Sequence, residues 1–176
     1  MVIEKMGNRI RIGYLGMLDR RKRVDVLVDS FRRSRLDAEL VIAGRGLDES
    51  ILREIAGGDT RIRFLGFVKE ENLCSFYNSL DIFVFPTWLE GYGLPIVEAM
   101  ACGRPVVVLS DAIIPQEVKQ RCIKVDSLDL LFDNQAFLEI LCKSVDCKSN
   151  YEWAKNHDWG RCVDEYIKLY REIADA

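Results

Sequence analysis

Short apolar runs alternate with amphipathic segments along nearly the whole chain. Arg9–Leu15 predicts a strand, with Ile10, Ile12, Tyr14 and Leu15 supplying apolar surface. Val24, Leu27, Val28 and Phe31 then recur at helical spacing, one stripe of an amphipathic helix. Leu40–Ala43 predicts a second strand, Leu47–Ala56 a helix and Ile62–Phe67 a third strand. A helix carrying Leu73, Phe76, Tyr77 and Leu80 follows. Ile82–Phe85 is almost wholly apolar, as expected of a parallel strand buried on both faces. Pro95–Cys102 predicts a short helix, Val106–Leu109 a fifth strand and Ile123–Val125 a sixth. Helical segments are expected near Ser127–Cys142, Tyr151–Asn156 and Trp159–Ile173.

Strict alternation of strand and helix predicts an α/β domain with a mostly parallel, six-stranded sheet. No repeat, low-complexity tract or linker interrupts the chain, so residues 1–176 are expected to form a single domain. Residues 1–8 are the least structured by pattern. The turn residues share one location. Gly16 follows the first strand, Gly44 and Gly46 the second, and Gly66 ends the third. Pro86 through Pro95 follow the fourth and Ser110-Asp111 the fifth. In an open parallel sheet these loops emerge along one edge, where ligands bind close to the reversal of strand order.

Composition narrows the classes. The chain is 49% apolar and 30% charged with net charge −3, which argues against nucleic acid as the main partner. No apolar run reaches the roughly 20 residues that span a bilayer. The start Met-Val-Ile-Glu-Lys lacks the apolar core of a secretion signal, so a cytoplasmic protein is expected. Cys74, Cys102, Cys122, Cys142, Cys147 and Cys162 form no C-x-x-C pair and read as reduced core thiols. The single histidine, His157, lies far along the chain from the candidate chemistry, which leaves a Ser-His-Asp or Cys-His hydrolase poorly supported. No motif for a metal or cofactor is present.

The densest chemistry is Glu90-Gly91-Tyr92-Gly93-Leu94-Pro95-Ile96-Val97-Glu98. Gly91 and Gly93 suit a tight turn in which backbone N–H groups approach a ligand. Pro95 suits the first position of a helix, whose N-terminus favours an anion such as a diphosphate. Glu98 stands alone as a carboxylate on an otherwise apolar helix. It is either hydrogen-bonded by a ligand such as a ribose diol or stabilised by the helix N-terminus and water. Lys22, in the run Arg20-Arg21-Lys22-Arg23, is placed to neutralise phosphate, while Arg20 and Arg23 read as a solvated helix start. Asp19 is a candidate cap, and Asp81 and Asp111 read as caps or turn formers. Gly44-Arg45-Gly46 wraps a phosphate or base, or simply turns the chain. Trp88 and Tyr92 either wall a sugar pocket or pack on the loop.

The segment from Glu90 to Val107 resembles the E-x7-E signature of retaining GT-B glycosyltransferases, and more narrowly the group 1 (family 4) enzymes. Gly16 with Lys22, Gly44 and Gly46, Gly66-Phe67-Val68, Leu80 to Pro86, and His157-Asp158-Trp159 through Tyr170 agree in order. The resemblance implies one Rossmann-like, three-layer α/β/α half of a GT-B fold: the C-terminal, nucleotide-sugar-binding domain, with the N-terminal acceptor domain supplied elsewhere. It implies that Glu98 binds the donor ribose and that Glu90 lies at the donor sugar. Backbone N–H groups of Gly91, Tyr92, Gly93 and Leu94 hold sugar and phosphate oxygens. Lys22 offsets charge on the leaving diphosphate, and the loop of Gly66, Phe67 and Val68 borders the base. The implied reaction is retaining transfer of a hexosyl group, mannosyl or glucosyl, from a UDP- or GDP-sugar to a glycan or lipid-linked acceptor, without a metal or cofactor. The full enzyme is then expected in the cytoplasm or at the inner membrane face. Met17 stands where many such proteins carry arginine, so Arg21 or Arg45 is the candidate for that charge. Ile113 and Ile114 replace two glycines usual in the loop after the fifth strand. Two other readings stand beside this one: a glycosidase using Glu90 and Glu98, and a non-catalytic nucleotide-binding or assembly module of the same fold.

Overall fold

The computed structural model describes residues 9–133, 137, 139 and 146–174. Strands β1 (Ile10–Leu15), β2 (Ala38–Ala43), β3 (Ile62–Gly66), β4 (Ile82–Val84), β5 (Val106–Leu109) and β6 (Ile123–Val125) form a six-stranded sheet in the order β3-β2-β1-β4-β5-β6. Every strand pairing is parallel. Strand order reverses between β1 and β4, so the loops that leave these two strands diverge from a crevice at the carboxyl edge. The helices are α1 (Val24–Arg33), α2 (Glu49–Ala56), α3 (Leu73–Asn78), α4 (Leu94–Ala101), α5 (Gln116–Lys119), α6 (Leu128–Leu131), α7 (Cys147–Lys155) and α8 (Trp159–Ala174).

Burial explains the strand pattern. β2, β4 and β5 are buried at every position, as central strands of a doubly covered sheet must be. α1 turns Val24, Leu27, Val28 and Phe31 into the core and leaves Asp29, Arg32 and Arg33 to pair on its outer face. Its C-terminal carbonyls are met by Arg61, which donates to Arg32 and Ser34 at 3.1 Å and lies over the Phe31 ring. Arg11 and Glu39 are register neighbours on β1 and β2, both wholly buried, with Nε to Oε1 at 2.5 Å.

Some boundaries differ from the sequence expectations. α4 begins at Leu94, with Pro95 second, because Gly93 in the left-handed region already serves as cap. α2 begins at Glu49, and Leu47 is left exposed. α5 is a single turn after Pro115, too short to show a periodicity. Of the helix expected over Ser127–Cys142, α6 forms the start and Phe132 ends it; residues 134–136, 138 and 140–145, including Cys142, lie outside the described residues. The cysteines are not all core thiols. Cys122 is buried, Cys74 is exposed, and Cys102, Cys147 and Cys162 are partly buried, all free. On α3 the buried positions are taken by Phe76 and Tyr77, which leaves Cys74 facing solvent. α8 leaves Val163, Tyr166, Ile167, Tyr170 and Ile173 exposed.

Candidate functional site

The loop after β1 is shaped by its own polar groups. The buried Tyr14 hydroxyl donates to the Met17 carbonyl at 2.8 Å. Burial, then the negative charges of Asp19 and Glu90, push the Tyr14 phenol far above its ordinary pKa, so it stays a donor. Asp19 caps a 3-10 turn over Arg20–Lys22 by accepting from the Arg21 N–H at 3.0 Å. That turn aims Lys22 inward. Its ammonium pairs with Glu90 Oε1 and sits 5.6 Å from the Phe85 ring centroid. Arg23 is not the solvated charge expected. It adopts φ 51° and pairs with Asp111 at 2.8 Å, joining the loop after β1 to the loop after β5.

The loop after β4 is fixed at both ends. Thr87 is wholly buried, and its hydroxyl donates to Glu90 Oε1 at 2.8 Å. The same oxygen therefore takes Lys22 and Thr87, while Oε2 has no partner among the described residues. The Trp88 N–H donates to the Arg21 carbonyl at 2.9 Å, and the Ile113 N–H to the Trp88 carbonyl at 2.7 Å. Glu90 N–H returns the contact to the Ile113 carbonyl at 2.9 Å. Three loops, after β1, β4 and β5, are thus stitched together around the carboxylate. Ile113 takes part through its backbone with its side chain exposed, and Ile114 is buried, so neither position needs a glycine here.

Past Glu90 the backbone turns into α4 through Gly93, whose φ of +87° is left-handed. No side chain caps this helix. The N–H groups of Gly91, Tyr92, Gly93 and Leu94 have no partner among the described residues, and Pro95 has none to offer. Unpartnered N–H groups at a helix N-terminus form an anion cradle. One turn into α4, Glu98 is half-buried among Ile96, Val97, Ala99 and Met100. Its Oε2 accepts from the Tyr77 hydroxyl at 2.7 Å. Burial, then the Glu98 charge, hold that phenol protonated far beyond its ordinary range. On the next turn, burial and the neighbouring Cys74 push the Cys102 thiol up to about 11.

Of the remaining predicted site residues, Gly16, Gly44, Phe67 and Val68 line a cleft of about 260 Å³ with Leu15, Met17 and Arg45, whereas Gly46 and Arg21 are not in its lining. Phe67 is 64% exposed at its mouth. Gly44 and Gly46 stand here for a packing reason as well as for any ligand. A Cβ on Gly44 would lie 1.8 Å from the Gly16 carbonyl oxygen, and one on Gly46 2.1 Å from that of Leu18. The Arg21 side chain is exposed and pairs with Asp19 at 3.1 Å, whereas Arg45 lines the cleft. Tyr92 packs against the core within reach of the Glu117 charge, rather than standing free beside Glu90, and Trp88 is exposed. Larger hollows of 320 and 510 Å³ lie at α1/α6 and α5/α7, and none of the predicted site residues lines them. Thr87 and Tyr77 escaped the sequence reading. The available signal was physical: a carboxylate on an apolar helix and a tyrosine on a buried stripe each need a hydrogen-bond partner.

The model of glycosyl transferases group 1 matches residues 9–143, from β1 past the whole loop edge. This chain belongs to the group 1 glycosyltransferases. O-antigen chain mannosyltransferase B of Escherichia coli is 29% identical over 170 residues, covering 90% of this chain and 45% of that protein. Phosphatidyl-myo-inositol mannosyltransferase of Mycobacterium leprae is 31% identical over 180 residues, covering 93% and 46%. Anabaena HepE in complex with UDP-glucose shares the fold with a TM-score of 0.74 at 17% identity, over 96% of this chain and 50% of that one. The group 1 chain therefore spans less than half the length of these curated relatives. Its sheet is a Rossmann-like α/β layer of the GT-B kind. Lys22, Tyr77, Thr87, Glu90 and Glu98 all lie within the matched residues. No helix among the described residues is long and apolar enough to cross a membrane.

Proposed function

We propose that this group 1 glycosyltransferase chain is the donor-binding half of a retaining hexosyltransferase. It takes a nucleoside-diphosphate sugar of the UDP or GDP type along the carboxyl edge of the sheet. The observation that carries this is the joint placement of Lys22, Glu90 and the unpartnered N–H groups of Gly91–Leu94 at the reversal of strand order. The diphosphate lies on the N–H groups and Lys22, which take up negative charge as the leaving group departs, without a metal ion. Glu90 holds the sugar hydroxyls and stabilises positive charge developing on the ring. Glu98 accepts from the ribose hydroxyls. Phe67 and Val68 border the base in the cleft after β1–β3, beside Gly16, Arg45 and Gly44.

Mannosyl or glucosyl transfer is the favoured chemistry, supported by the mannosyltransferase relatives and by UDP-glucose in the HepE complex. The acceptor, a glycan or a lipid-linked sugar, is held by an N-terminal domain in the same or another chain. Residues 1–176 alone bind donor and transfer nothing. The coverage of less than half of each relative supports this division.

The test is calorimetric titration of this chain with UDP, GDP and ADP. UDP or GDP binds, and Lys22→Met weakens that binding by more than about tenfold, the scale of one charge-assisted contact. A folded chain that binds none of the three sinks the proposal.

A further inference from the structure

We infer that Tyr77 is a positioning residue for the donor ribose, acting through Glu98; this rests on the reading of Glu98 as the ribose ligand. Tyr77 is 1% exposed, so it meets no ligand itself. Its ring is wedged edge-on between Phe76 and Phe83, with centroids 5.4 Å from each. Phe83 belongs to β4, so the phenol is anchored to the centre of the sheet rather than to a mobile loop. From there its hydroxyl reaches Glu98 Oε2 at 2.7 Å.

The contact divides the work of the two carboxylate oxygens. Oε2 is held by the phenol, and Oε1 has no partner among the described residues. A half-buried carboxylate held by one fixed donor keeps a single orientation before any ligand arrives, and the open oxygen can accept from a vicinal diol. The phenol stays protonated because burial and the Glu98 charge oppose its ionisation, so it donates over the whole working pH range. Glu90 is built the same way, with one oxygen held by Thr87 and Lys22 and the other open. Both carboxylates of the nine-residue segment are oriented by a buried hydroxyl, Glu98 by one on α3 and Glu90 by one in its own loop.

The experiment compares Tyr77→Phe with the unmodified chain, using UDP and GDP and their 2′,3′-dideoxyribose counterparts. Phenylalanine keeps the ring and its packing. The unmodified chain prefers the ribonucleotide; Tyr77→Phe loses about tenfold in ribonucleotide affinity and nothing against the dideoxy form. Equal loss against both forms, or no loss, overturns the role of Tyr77. An unmodified chain that binds ribo and dideoxy forms alike, or neither, overturns the Glu98 reading beneath it. Should Tyr77→Phe not fold, 3-fluorotyrosine at position 77 keeps the packing and sharpens the donor. Ribose preference then rises, and an unchanged or lower preference overturns the inference.

Discussion

Lys22 and Glu90, 68 residues apart in the chain, close an ion pair across the point where the strand order of the sheet reverses. Their side chains are 16% and 12% exposed. The pair satisfies the lysine charge, so on the proposed reading a donor diphosphate competes with Glu90 for it. Glu90→Gln, which keeps the shape and removes the charge, is expected to strengthen binding of a sugar-free nucleoside diphosphate several-fold and to erase the preference for the nucleotide sugar. Lys22→Met weakens both. Removing either partner also strands a mostly buried charge, at about 3 kcal/mol of stability, the low end for a buried pair. Calorimetry with UDP, GDP and their hexose conjugates separates the two variants. Loss of diphosphate affinity in Glu90→Gln to the level of Lys22→Met contradicts the competition.

The glycines of the loop edge separate by role. Gly91→Ala meets open space, so the fold is unchanged and only donor affinity falls. Gly93→Ala forces an L side chain to φ +87° with its Cβ 3.1 Å from Ile96 Cδ1, at about 1–2 kcal/mol. Gly44→Ala drives a Cβ into the Gly16 carbonyl and is expected to cost at least about 2 kcal/mol. Urea unfolding gives the order Gly91 least, Gly93 intermediate, Gly44 most; a Gly91→Ala chain as unstable as Gly44→Ala contradicts it.

Asp59 carries a pH signature. The hydrogen bond from Arg61, at 2.7 Å, holds its carboxyl below the usual range. A depressed folded-state pKa contributes stability above the unfolded value, about 3.9, and that stability is lost as pH falls through the folded value. Asp59→Asn is therefore less stable than the unmodified chain at neutral pH by up to about 1 kcal/mol. The difference shrinks below roughly pH 4. Unfolding midpoints of both chains across this range check the sign; a gap that widens with acid contradicts it.

Much of this architecture was legible in the residues. β4 and β5 are short apolar runs because both faces of the sheet are covered, and that signature needs no tertiary knowledge. Asp19 was readable as a cap because capping is local in sequence. That Lys22 and Glu90 come to one edge followed from topology, which sends both loops there; that they pair with each other did not. What stayed hidden depends on contacts between distant elements. Arg11 and Glu39 lie at polar positions of strands that alternation alone would face to water, yet they neutralise each other inside the sheet. Tyr77 read as one apolar position among four, since a helical stripe does not say where a hydroxyl points. Gly44 and Gly46 suggested a phosphate loop, and the crowding against Gly16 and Leu18 appears only when β1 and β2 are paired.

The most direct measurement is a crystal structure of this chain with a UDP-hexose or GDP-hexose bound. The ribose hydroxyls are expected on Glu98, the diphosphate on Lys22 and the N–H groups of Gly91–Leu94, and the hexose beside Glu90. A nucleotide bound away from the carboxyl edge, or a ribose on Glu90 with the hexose at Glu98, contradicts it.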